Sequence, residues 1–571
     1  MDLLNDNINK AELGAFYTPD LYSKMALEYV REAIKKVPKD MDYIILDRCA
    51  GTGNLQKFMT KEELSHVIIN TYEVKEWLVL YDKFYDKVRG IIPPAENVKN
   101  HRGNLVFGGD ALTEEFLTST IETNYKYKTL QEYIEDESVV IIGLENPPYS
   151  EENARNQDKS KNNLDTLFYK NHIKDLMKNS GINGNYTKDL ANQFIWSYIY
   201  FFMRNKYDSY IVFSPIKYWK SANICNKKFI KGFIANRGNF KASESAICVC
   251  YWQNIDDFET NNINLDVLEI RDFDKKYTTG KSDKAIKIPN TATLKKIDNV
   301  NVEKVYKTLS EFYSKKLEED LPSEIALDYK GYEREQYKNK NYGKVVYNKN
   351  ILGILEASGF GLTAQDVRLV RTALYHGYGS YIRDFNYHEQ LPLFVTKNFI
   401  KEKWYEDGLY YSTADGGDLY LNDKEFLRKC IIWSCITPKN HCRSFRGKDK
   451  NIYRNELCFD EGTLIYKEVY KNKKFGQLDV YDNIIIGVFI KLLNLVKQTD
   501  EYKKLKNNFQ NITLGTYQIK EEINLFYIDS LGKKIPRYSK INTKIIELEK
   551  RLNEYYLDHL KPKLFKYKLI K

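Results

Sequence analysis

The sequence predicts an α/β fold: a mostly parallel sheet with helices on both faces, followed by a second domain of mixed α and β structure. Over about the first 255 residues, short apolar runs typical of buried strands alternate with amphipathic helical segments. Short turns join them, as in sheets that helices cover on both sides. The alternation then weakens, so we expect a boundary near 255–265, between domains at 1–255 and 256–571.

The first domain opens with a predicted amphipathic helix over 20–36, which Pro38 ends. Further helices are expected at 76–88, near 164–178 and at 190–206. The predicted strands are the short apolar runs 43–46, 67–72, 104–107, 139–144, 210–213 and 247–252. Ligands of a parallel sheet bind beyond the carboxyl ends of its strands. The residues that follow these runs are therefore the candidates for a site.

The second domain lacks the regular alternation of strands and helices. Residues 256–340 mix charge with short strands, 350–500 mix helices and strands, and a helical portion is expected at 500–571. Within that portion, apolar residues at spacings of four and three predict an amphipathic helix that Pro562 stops; they are Ile541, Ile545, Leu548, Leu552 and Tyr555.

Composition excludes membrane and secreted classes. The longest purely apolar run in the C-terminal half, 484–490, has seven residues, whereas a membrane span needs ~20. The N-terminus lacks the pattern of a secretory signal. Eight scattered cysteines favour reduced thiols over a disulfide scaffold. We therefore expect a cytoplasmic protein.

The net charge of +10 is unevenly distributed: residues 1–200 carry about −7 and residues 201–571 about +17. A basic rear part indicates a polyanionic partner. The alternative is a general drift toward lysine in a chain rich in Lys, Asn, Ile and Tyr, as in AT-rich genomes.

A glycine-rich turn follows the first predicted strand. The run Asp47-Arg48-Cys49-Ala50-Gly51-Thr52-Gly53-Asn54 lets the backbone turn closely against a ligand. It has no Lys-Ser/Thr pair, so it is not a phosphate loop. Glu73 ends the next strand 22 residues after Gly51, where a carboxylate can accept both hydroxyls of a ribose. The pair suits a nucleoside-containing cofactor, and a glycine turn beside a solvated glutamate is the alternative.

Asn146-Pro147-Pro148-Tyr149 follows the fourth predicted strand. Its two prolines fix an extended backbone. This rigid loop aims the Asn146 amide oxygen and the Pro147 carbonyl at one point, with the Tyr149 ring beside it. Two convergent acceptors next to an aromatic face suit a planar group that carries an NH₂. A chance surface turn is the alternative, and the position after this strand argues against it.

As an ordered set, these motifs resemble those of the S-adenosylmethionine-dependent N6-adenine DNA methyltransferases in their gamma arrangement. The motifs are Phe16-Tyr17-Thr18-Pro19, residues 47–54, Glu73, Asp110 and Asn146-Pro147-Pro148-Tyr149. The resemblance covers about residues 14–255. It implies a Rossmann-like class I methyltransferase sheet, a target-recognition domain behind it, and a bacterial or phage origin. Asn-Pro-Pro-Tyr alone also occurs in RNA and protein-glutamine methyltransferases.

The resemblance also implies roles for single residues. It implies that Tyr17, Thr18 and Pro19 contact the methionine end of S-adenosylmethionine and that the cofactor turn consists of Asp47, Ala50, Gly51 and Gly53. It also implies that Glu73 binds the ribose and that Asp110 accepts from the adenine amino group of the cofactor. The sequence departs from the pattern at Arg48 and Cys49, and Cys49 is expected to be a small packing residue. Glu145 is charged and has no assigned role; a surface turn residue is favoured slightly over a partner that supports the site.

The implied catalytic residues are Asn146, Pro147, Pro148 and Tyr149. Hydrogen bonds from the adenine amino group to Asn146 and Pro147 favour a pyramidal nitrogen aimed at the methyl group, so catalysis is alignment and electrostatics without a metal. A base in a duplex must be flipped out to react, at a cost of a few kcal/mol. Tyr149 is expected to stack on one face of that base and Phe240 on the other, unless Phe240 is a core residue.

Basic clusters are the expected DNA contacts. They comprise Lys217, Lys220, Lys227, Lys228, Lys231, Arg237 and Lys241, then Arg443, Arg446, Lys448 and Lys450, and finally Lys533, Lys534, Arg537 and Lys540. Each cluster alone is more often a solvated face. The set Cys435, His441, Cys442 and Cys458 matches no closed zinc spacing, so no metal is expected.

The sequence thus predicts a site-specific N6-adenine methyltransferase that acts on duplex DNA as a monomer, either alone or beside a separate restriction endonuclease. One alternative is a bifunctional restriction–modification enzyme with a fused nuclease. Only about 14 residues precede the Tyr-Thr-Pro element, and no persuasive Asp…Glu-x-Lys set lies behind it. The other alternative is an RNA or protein-glutamine methyltransferase.

Overall fold

A computed structural model describes most of the chain, and its residues divide into two compact units. The first comprises Met1–Asn299 with Lys403–Leu409, and the second Val300–Glu402 with Tyr410–Lys571. The described residues are 18–99, 103, 105–106, 108–122, 129–149, 171–182, 187, 189–216, 219, 225–240, 245–258, 262–271, 284–295, 323–324, 345–346, 351–357, 367–370, 379–406, 409–410, 416–446, 450–509, 511–529 and 532–570.

The first unit contains a nine-stranded sheet. The strands of this unit are β1 (Asp42–Asp47), β2 (Val67–Ile69), β3 (Gly90–Ile91), β4 (Val98–Lys99), β5 (Leu105–Val106), β6 (Val139–Glu145), β7 (Ser209–Pro215), β8 (Lys227–Asn236), β9 (Ala246–Asp256), β10 (Asn262–Arg271) and β11 (Lys284–Lys295). The helices are α1 (Asp20–Ile34), α2 (Lys61–Leu64), α3 (Val74–Phe84), α4 (Leu130–Glu135), α5 (His172–Asn179) and α6 (Leu190–Phe202).

The strand order is β11-β10-β8-β9-β7-β6-β1-β2-β3. The run from β7 through β6, β1 and β2 to β3 is parallel. Strand β9 is antiparallel to both β7 and β8, and β8 is parallel to β10. The predicted α/β class with a large, mostly parallel sheet is confirmed.

Alternate residues of the central strands enter two separate cores. Ile44 of β1 and Ile141 of β6 pack with α4, α5 and α6, whereas Ile45 and Ile142 pack with α1 and α3. A strand buried on both faces needs apolar side chains at every position, which explains the uninterrupted runs. The sheet is therefore covered by helices on both faces, as predicted.

The predicted third strand, 104–107, is wrong as a member of this sheet. Strand β5 pairs instead with β4 in a separate ribbon, and the third strand of the parallel run is β3, beside β2. The sequence signal of β3 is weak because only two apolar residues precede Pro93. The backbone N–H of Gly109 nevertheless bonds to Pro93 O at 2.8 Å, which brings the turn before Asp110 to the end of β3.

The second unit is a separate α+β body. Its strands are β12 (Ser323–Glu324), β13 (Val345–Val346), β14 (Ile351–Ala357), β15 (Val367–Val370), β16 (Gly379–Arg383), β17 (Phe445–Arg446), β18 (Ile452–Tyr453), β19 (Phe526–Ile528) and β20 (Lys534–Pro536). Its helices are α7 (Tyr387–Lys397), α8 (Lys424–Ile436), α9 (Val480–Lys497), α10 (Asp500–Asn508), α11 (Thr516–Gln518), α12 (Ser539–Tyr555) and α13 (Lys561–Lys566). One hydrophobic core joins β14–β16 to the longer helices.

The predicted C-terminal amphipathic helix is α12, and all five of its marked apolar residues are buried. Its expected stop at Pro562 is wrong. A π-helical turn, Tyr556–Leu560, continues α12, and Pro562 lies in the first turn of α13. Proline is tolerated there because the first-turn N–H groups have no partner within the helix. Within the described parts of the chain, no helix is both long and apolar enough to cross a membrane.

Candidate active site

A cleft opens at the carboxyl ends of β1, β2 and β6. It encloses about 1070 Å³ including its solvent-open mouth. The predicted site residues that line it are Thr18, Ala50, Gly51, Glu73, Asp110, Asn146 and Pro148. Motifs that are up to 128 positions apart in the sequence therefore share one cleft.

The glycine-rich turn after β1 forms the floor of this cleft. Gly51 and Gly53 have φ values of 56° and 79°, which side chains rarely adopt. A Cβ on Gly53 would lie 2.3 Å from Cε2 of Phe84 in α3. The N–H of Ala50 bonds to Asn70 O at 2.8 Å. Backbone conformation and helix contact therefore both require glycine at position 53.

Asp47 forms hydrogen bonds within the glycine-rich turn and does not line the cleft. Its fully buried carboxylate accepts from the Cys49 N–H at 3.1 Å and from Gln56 Nε2 at 2.8 Å. Burial raises the pKa of Asp47 to about 7, because a carboxylate loses its hydration inside the protein.

One wall of the cleft is acidic. Burial raises the pKa values of Glu73 and Asp110, and the Leu112 N–H donates to Asp110 Oδ1 at 3.0 Å. Among the described residues that line the cleft, the only cation is Arg48, whose guanidinium is bound to Glu145. Such a wall accepts hydroxyl and amino donors and offers nothing to a phosphate.

The Asn146 carboxamide is oriented from both ends. Its Nδ2 donates to Thr18 Oγ1 at 2.9 Å, and its Oδ1 accepts a hydrogen bond from the Tyr149 hydroxyl. Burial raises the pKa of Tyr149 well above its usual range, so this hydroxyl keeps its proton. An amide oxygen has two lone pairs and can accept from two donors.

Glu145 is not a surface turn residue, so the slightly favoured expectation is wrong. It is fully buried, and its Oε1 lies 2.6 Å from Arg48 Nε. The Tyr210 hydroxyl also donates to Glu145 Oε2 at 2.7 Å. Arg48, the departure from the family pattern in the glycine turn, is thus the partner of the charged residue before Asn146.

Among the lining residues that the sequence interpretation missed are Asn70, Tyr72, Leu190 and Phe194. Tyr72 immediately precedes Glu73, and its place at the end of β2 is the signal that could have found it. With its amide turned to donate, Asn70 reaches Arg48 O at 3.0 Å and Gly109 O at 3.2 Å. Leu190 and Phe194 share one face of α6 at an i, i+4 spacing.

Several predicted site residues that the structure describes do not line the cleft; they are Pro19, Asp47, Gly53, Pro147, Tyr149, Arg237 and Phe240. Pro19 caps the start of α1. Phe240 is 4% exposed and stacks on Tyr22, with 5.4 Å between ring centroids, so it packs in the core. Arg237 interacts electrostatically with Tyr149. Residues outside the described part of the chain are Phe16, Tyr17, Lys217, Tyr218, Lys220, Lys241 and Lys448.

Part of the first basic cluster lies on β8, which the sequence interpretation did not recognise as a strand. Lys227 pairs with Asp256 at 2.7 Å, and Lys231 pairs with Glu32. Ion pairs within the protein reduce the charge that these lysines offer to a partner.

The four residues considered for zinc are three buried cysteines and His441. Burial raises the pKa values of Cys435 and Cys458, which keeps the thiols protonated. His441 stacks on Tyr517 with 4.1 Å between the centroids. Within the described ranges, no group of three or more His, Cys, Asp or Glu side chains is arranged to hold a metal ion.

Neither a protein-family model nor a curated protein sequence matches the chain. Among solved structures, the DrdV–DNA complex from cryo-electron microscopy is 17% identical with a TM-score of 0.31, over 46% of this chain and 28% of that one. A type I restriction–modification methyltransferase subunit from Streptococcus thermophilus is 14% identical with a TM-score of 0.26, over 44% of this chain and 47% of that one.

The type IIL restriction–modification enzyme MmeI in complex with DNA is 10% identical with a TM-score of 0.26, over 96% of this chain and 76% of that one. The chain spans less than half the length of the first two structures. These likenesses are distant.

Proposed function

We propose that the protein is a site-specific DNA methyltransferase that transfers a methyl group from S-adenosylmethionine to the N6 amino group of a flipped adenine. The observation that carries the proposal is the Asn146 carboxamide, held by Thr18 and Tyr149 at the cleft that Glu73 and Asp110 also line. An oriented amide acceptor beside an aromatic ring suits a planar group with an NH₂.

The cleft residues fit S-adenosylmethionine. When bound, this cofactor supplies an electrophilic methyl group on a positively charged sulfur. Glu73 is the acceptor for the ribose hydroxyls, and Asp110 accepts from the adenine amino group of the cofactor. The acidic wall suits a cationic ligand, whereas a phosphorylated nucleotide finds no unpaired cation among the described lining residues. In this proposal Thr18 contacts the methionine end of the cofactor.

The residues of the Asn146 turn act on the target base. The adenine amino group is a poor nucleophile because its lone pair is delocalised into the ring. Acceptance of its two N–H groups by Asn146 Oδ1 and the Pro147 carbonyl favours a pyramidal nitrogen with an available lone pair. Pro148 stiffens the loop, and the Tyr149 ring is the stacking face. Alignment of this kind lowers the barrier. The N–CH₃ bond forms as the S–CH₃ bond breaks, S-adenosylhomocysteine leaves, and the methylated nitrogen then loses one N–H proton to water.

DNA is favoured over RNA and protein by features outside the cleft. The Tyr-Thr-Pro element precedes the glycine turn, and the basic rear part of the chain suits a polyanion. In this proposal the rear domain, with the exposed lysines near 533–540 as one contact, reads the target sequence. The base then leaves the duplex to reach Asn146.

The experiment that tests the proposal is methyl transfer by the purified full chain from labelled S-adenosylmethionine, with nucleoside analysis of the product. Duplex DNA, transfer RNA, ribosomal RNA and release factors are offered in parallel. Label recovered as N6-methyladenine from DNA alone supports the proposal. Label in RNA or in a protein glutamine, with none in DNA, overturns it. Strand cleavage in the presence of Mg²⁺ and target-bearing DNA identifies the bifunctional alternative.

A further inference from the structure

A buried ion pair that the proposed reaction does not use lies directly behind the cleft. Arg48 Nε lies 2.6 Å from Glu145 Oε1, and Arg48 Nη2 lies 3.0 Å from Glu145 Oε2, so the contact is bidentate. Both side chains are 1% exposed or less. Arg48 belongs to the cofactor turn, and Glu145 immediately precedes Asn146.

The pair connects three walls of the cleft. The Arg48 backbone N–H bonds to Glu145 Oε1 at 3.3 Å, which joins the turn after β1 to the end of β6. The guanidinium also donates to Ser197 Oγ at 2.8 Å and to Phe194 O at 2.7 Å, which adds helix α6. Each of the three elements contributes residues to the lining.

Aromatic side chains surround the ion pair. The Arg48 guanidinium lies 5.2 Å from the Phe194 ring and 5.5 Å from the Tyr198 ring. The Tyr198 ring can lie there because residue 143 of β6 is glycine, whose Cβ would be 2.4 Å from Tyr198 Cζ. Tyr210 of β7 supplies the further hydrogen bond to Glu145.

Stability alone does not account for such a pair. Apolar side chains of similar volume are often as stable as a buried ion pair or more so, because burying two charges costs hydration. The Arg–carboxylate contact adds direction, since two parallel hydrogen bonds fix both distance and angle. Methyl transfer depends on such alignment between two separately bound groups.

We propose that Arg48 and Glu145 are a positioning pair that sets the separation between the cofactor turn and the Asn146 turn. The inference rests on the proposed function. Neither residue touches the reacting groups, and each turn keeps its own ligand contacts without the pair. Loss of the pair therefore lowers the rate of transfer more than it weakens binding of either ligand.

The test compares Glu145→Gln with Asp482→Asn, a matched change in the second unit. Arg428 Nε lies 2.7 Å from Asp482 Oδ2, and both side chains are buried. Glu145→Gln leaves Arg48 without its carboxylate. Asp482→Asn leaves Arg428 only the more distant carboxylate of Asp479, at 3.7 Å. Both are expected to lower Tm. Glu145→Gln is expected to lower kcat about 100-fold, while KM for DNA and the Kd of S-adenosylhomocysteine stay within about threefold. Asp482→Asn keeps kcat when assayed well below its Tm.

A double variant separates positioning from stability. Arg48→Met combined with Glu145→Leu is expected to recover Tm and to keep the low kcat. A Glu145→Gln protein with the kcat of the wild type overturns the inference, as does a double variant that recovers kcat together with Tm. If Glu145→Gln does not fold, the double variant decides. A wild-type protein that methylates no acceptor contradicts the proposed function instead.

Discussion

The side chain of Asn146 is held by Thr18 on one side and by Tyr149 on the other. Its amide oxygen therefore points in a fixed direction before any substrate arrives, and pre-orientation of this kind saves reorganisation during the reaction. The proposed role is consequently a property of one oxygen atom. Replacement of that atom is the most local test that the site offers.

Asn146→Ala removes the acceptor and leaves Glu73, Asp110 and the glycine turn intact. We expect methyl transfer to fall by at least about 100-fold, by analogy with the loss of one preorganised hydrogen-bond group. Binding of S-adenosylhomocysteine, measured by calorimetry, is expected to change little. A variant that loses cofactor binding and transfer in parallel would place Asn146 in the cofactor site.

Asp47 makes stability depend on pH. Its pKa is raised to about 7 by burial, against roughly 3.9 in an unfolded chain. Between these values the folded protein holds a proton that the unfolded chain has lost, so stability falls as pH rises through about 7. Asp47→Asn removes this titration. We expect it to be tolerated because Gln56 Oε1, which has no hydrogen-bond partner among the described residues, can accept from the new amide.

Thermal unfolding of the wild type and of Asp47→Asn at pH 5 and pH 8 measures the effect. The Tm of the variant minus the Tm of the wild type is expected to be larger at pH 8 than at pH 5. The change corresponds to a few kcal/mol of stability, at about 1.4 kcal/mol per pKa unit. If the Tm values of the two proteins changed equally between pH 5 and pH 8, Asp47 would be ionised over this whole range.

Sequence reasoning marked residues that follow predicted strands. Glu73 and Asn146 line one cleft because the carboxyl ends of parallel strands share one edge. Asp110 lines it for another reason: the strand before it, β5, belongs to a separate ribbon, and the bond from the Gly109 N–H to Pro93 O brings its turn to the end of β3.

Sequence reasoning did not predict the pairing of Arg48 with Glu145, because a contact across 97 positions leaves no pattern in a single sequence. Phe240 could be a base-stacking residue or a core residue, because a single sequence does not show which distant residues a side chain packs against.

At the scale of elements, strands were predictable where burial on both faces demands continuous apolar residues, as in β6. Strand β3 has two residues, too few to give a pattern. Strand β8 was read as a basic cluster because lysines occupy several of its first positions. Local composition identifies strands of the sheet centre, and strands at its margins depend on neighbours that are distant in sequence.

The glycine turn offers a prediction at this scale. Gly53→Ala forces a side chain onto a residue with φ of 79° and against Phe84 of α3. We expect a loss of about 1–3 kcal/mol or more and weaker binding of S-adenosylhomocysteine. Chemical unfolding and calorimetry measure both quantities.

Gly487→Ala is the matched control. Gly487 lies within helix α9, and nothing lies within 4 Å of its Cβ position. Alanine there is expected to stabilise the protein by about 0.5–1 kcal/mol. Equal effects of the two substitutions would contradict the special role of the turn.

At the scale of the whole molecule, residues 1–200 carry a net negative charge and residues 201–571 a net positive charge. The cleft belongs to the first unit, and its wall of carboxylates accounts for some of the negative charge. Within the second unit, Lys533 and Lys534 are exposed on the β19–β20 ribbon. The apolar residues of β19 are also about half exposed or more. A two-stranded ribbon of this kind has dimensions that suit a DNA groove.

We expect the double substitution Lys533→Ala with Lys534→Ala to weaken DNA binding and to reduce the salt dependence of log K by about 2, since each phosphate contact contributes ~0.9 to the slope. Titrations of duplex DNA at several KCl concentrations measure it. Lys61→Ala, an exposed change at the start of α2, is the control. An unchanged slope in the double variant would exclude this ribbon from the DNA contact surface.

The most direct measurement of the central claim is long-read sequencing of genomic DNA from cells that express the wild-type chain or Asn146→Ala, scored for modified bases. The account predicts N6-methyladenine at one recurring sequence in cells with the wild type and none at that sequence in cells with the variant. Absence of methyladenine in both, or an equal level in both, would contradict it.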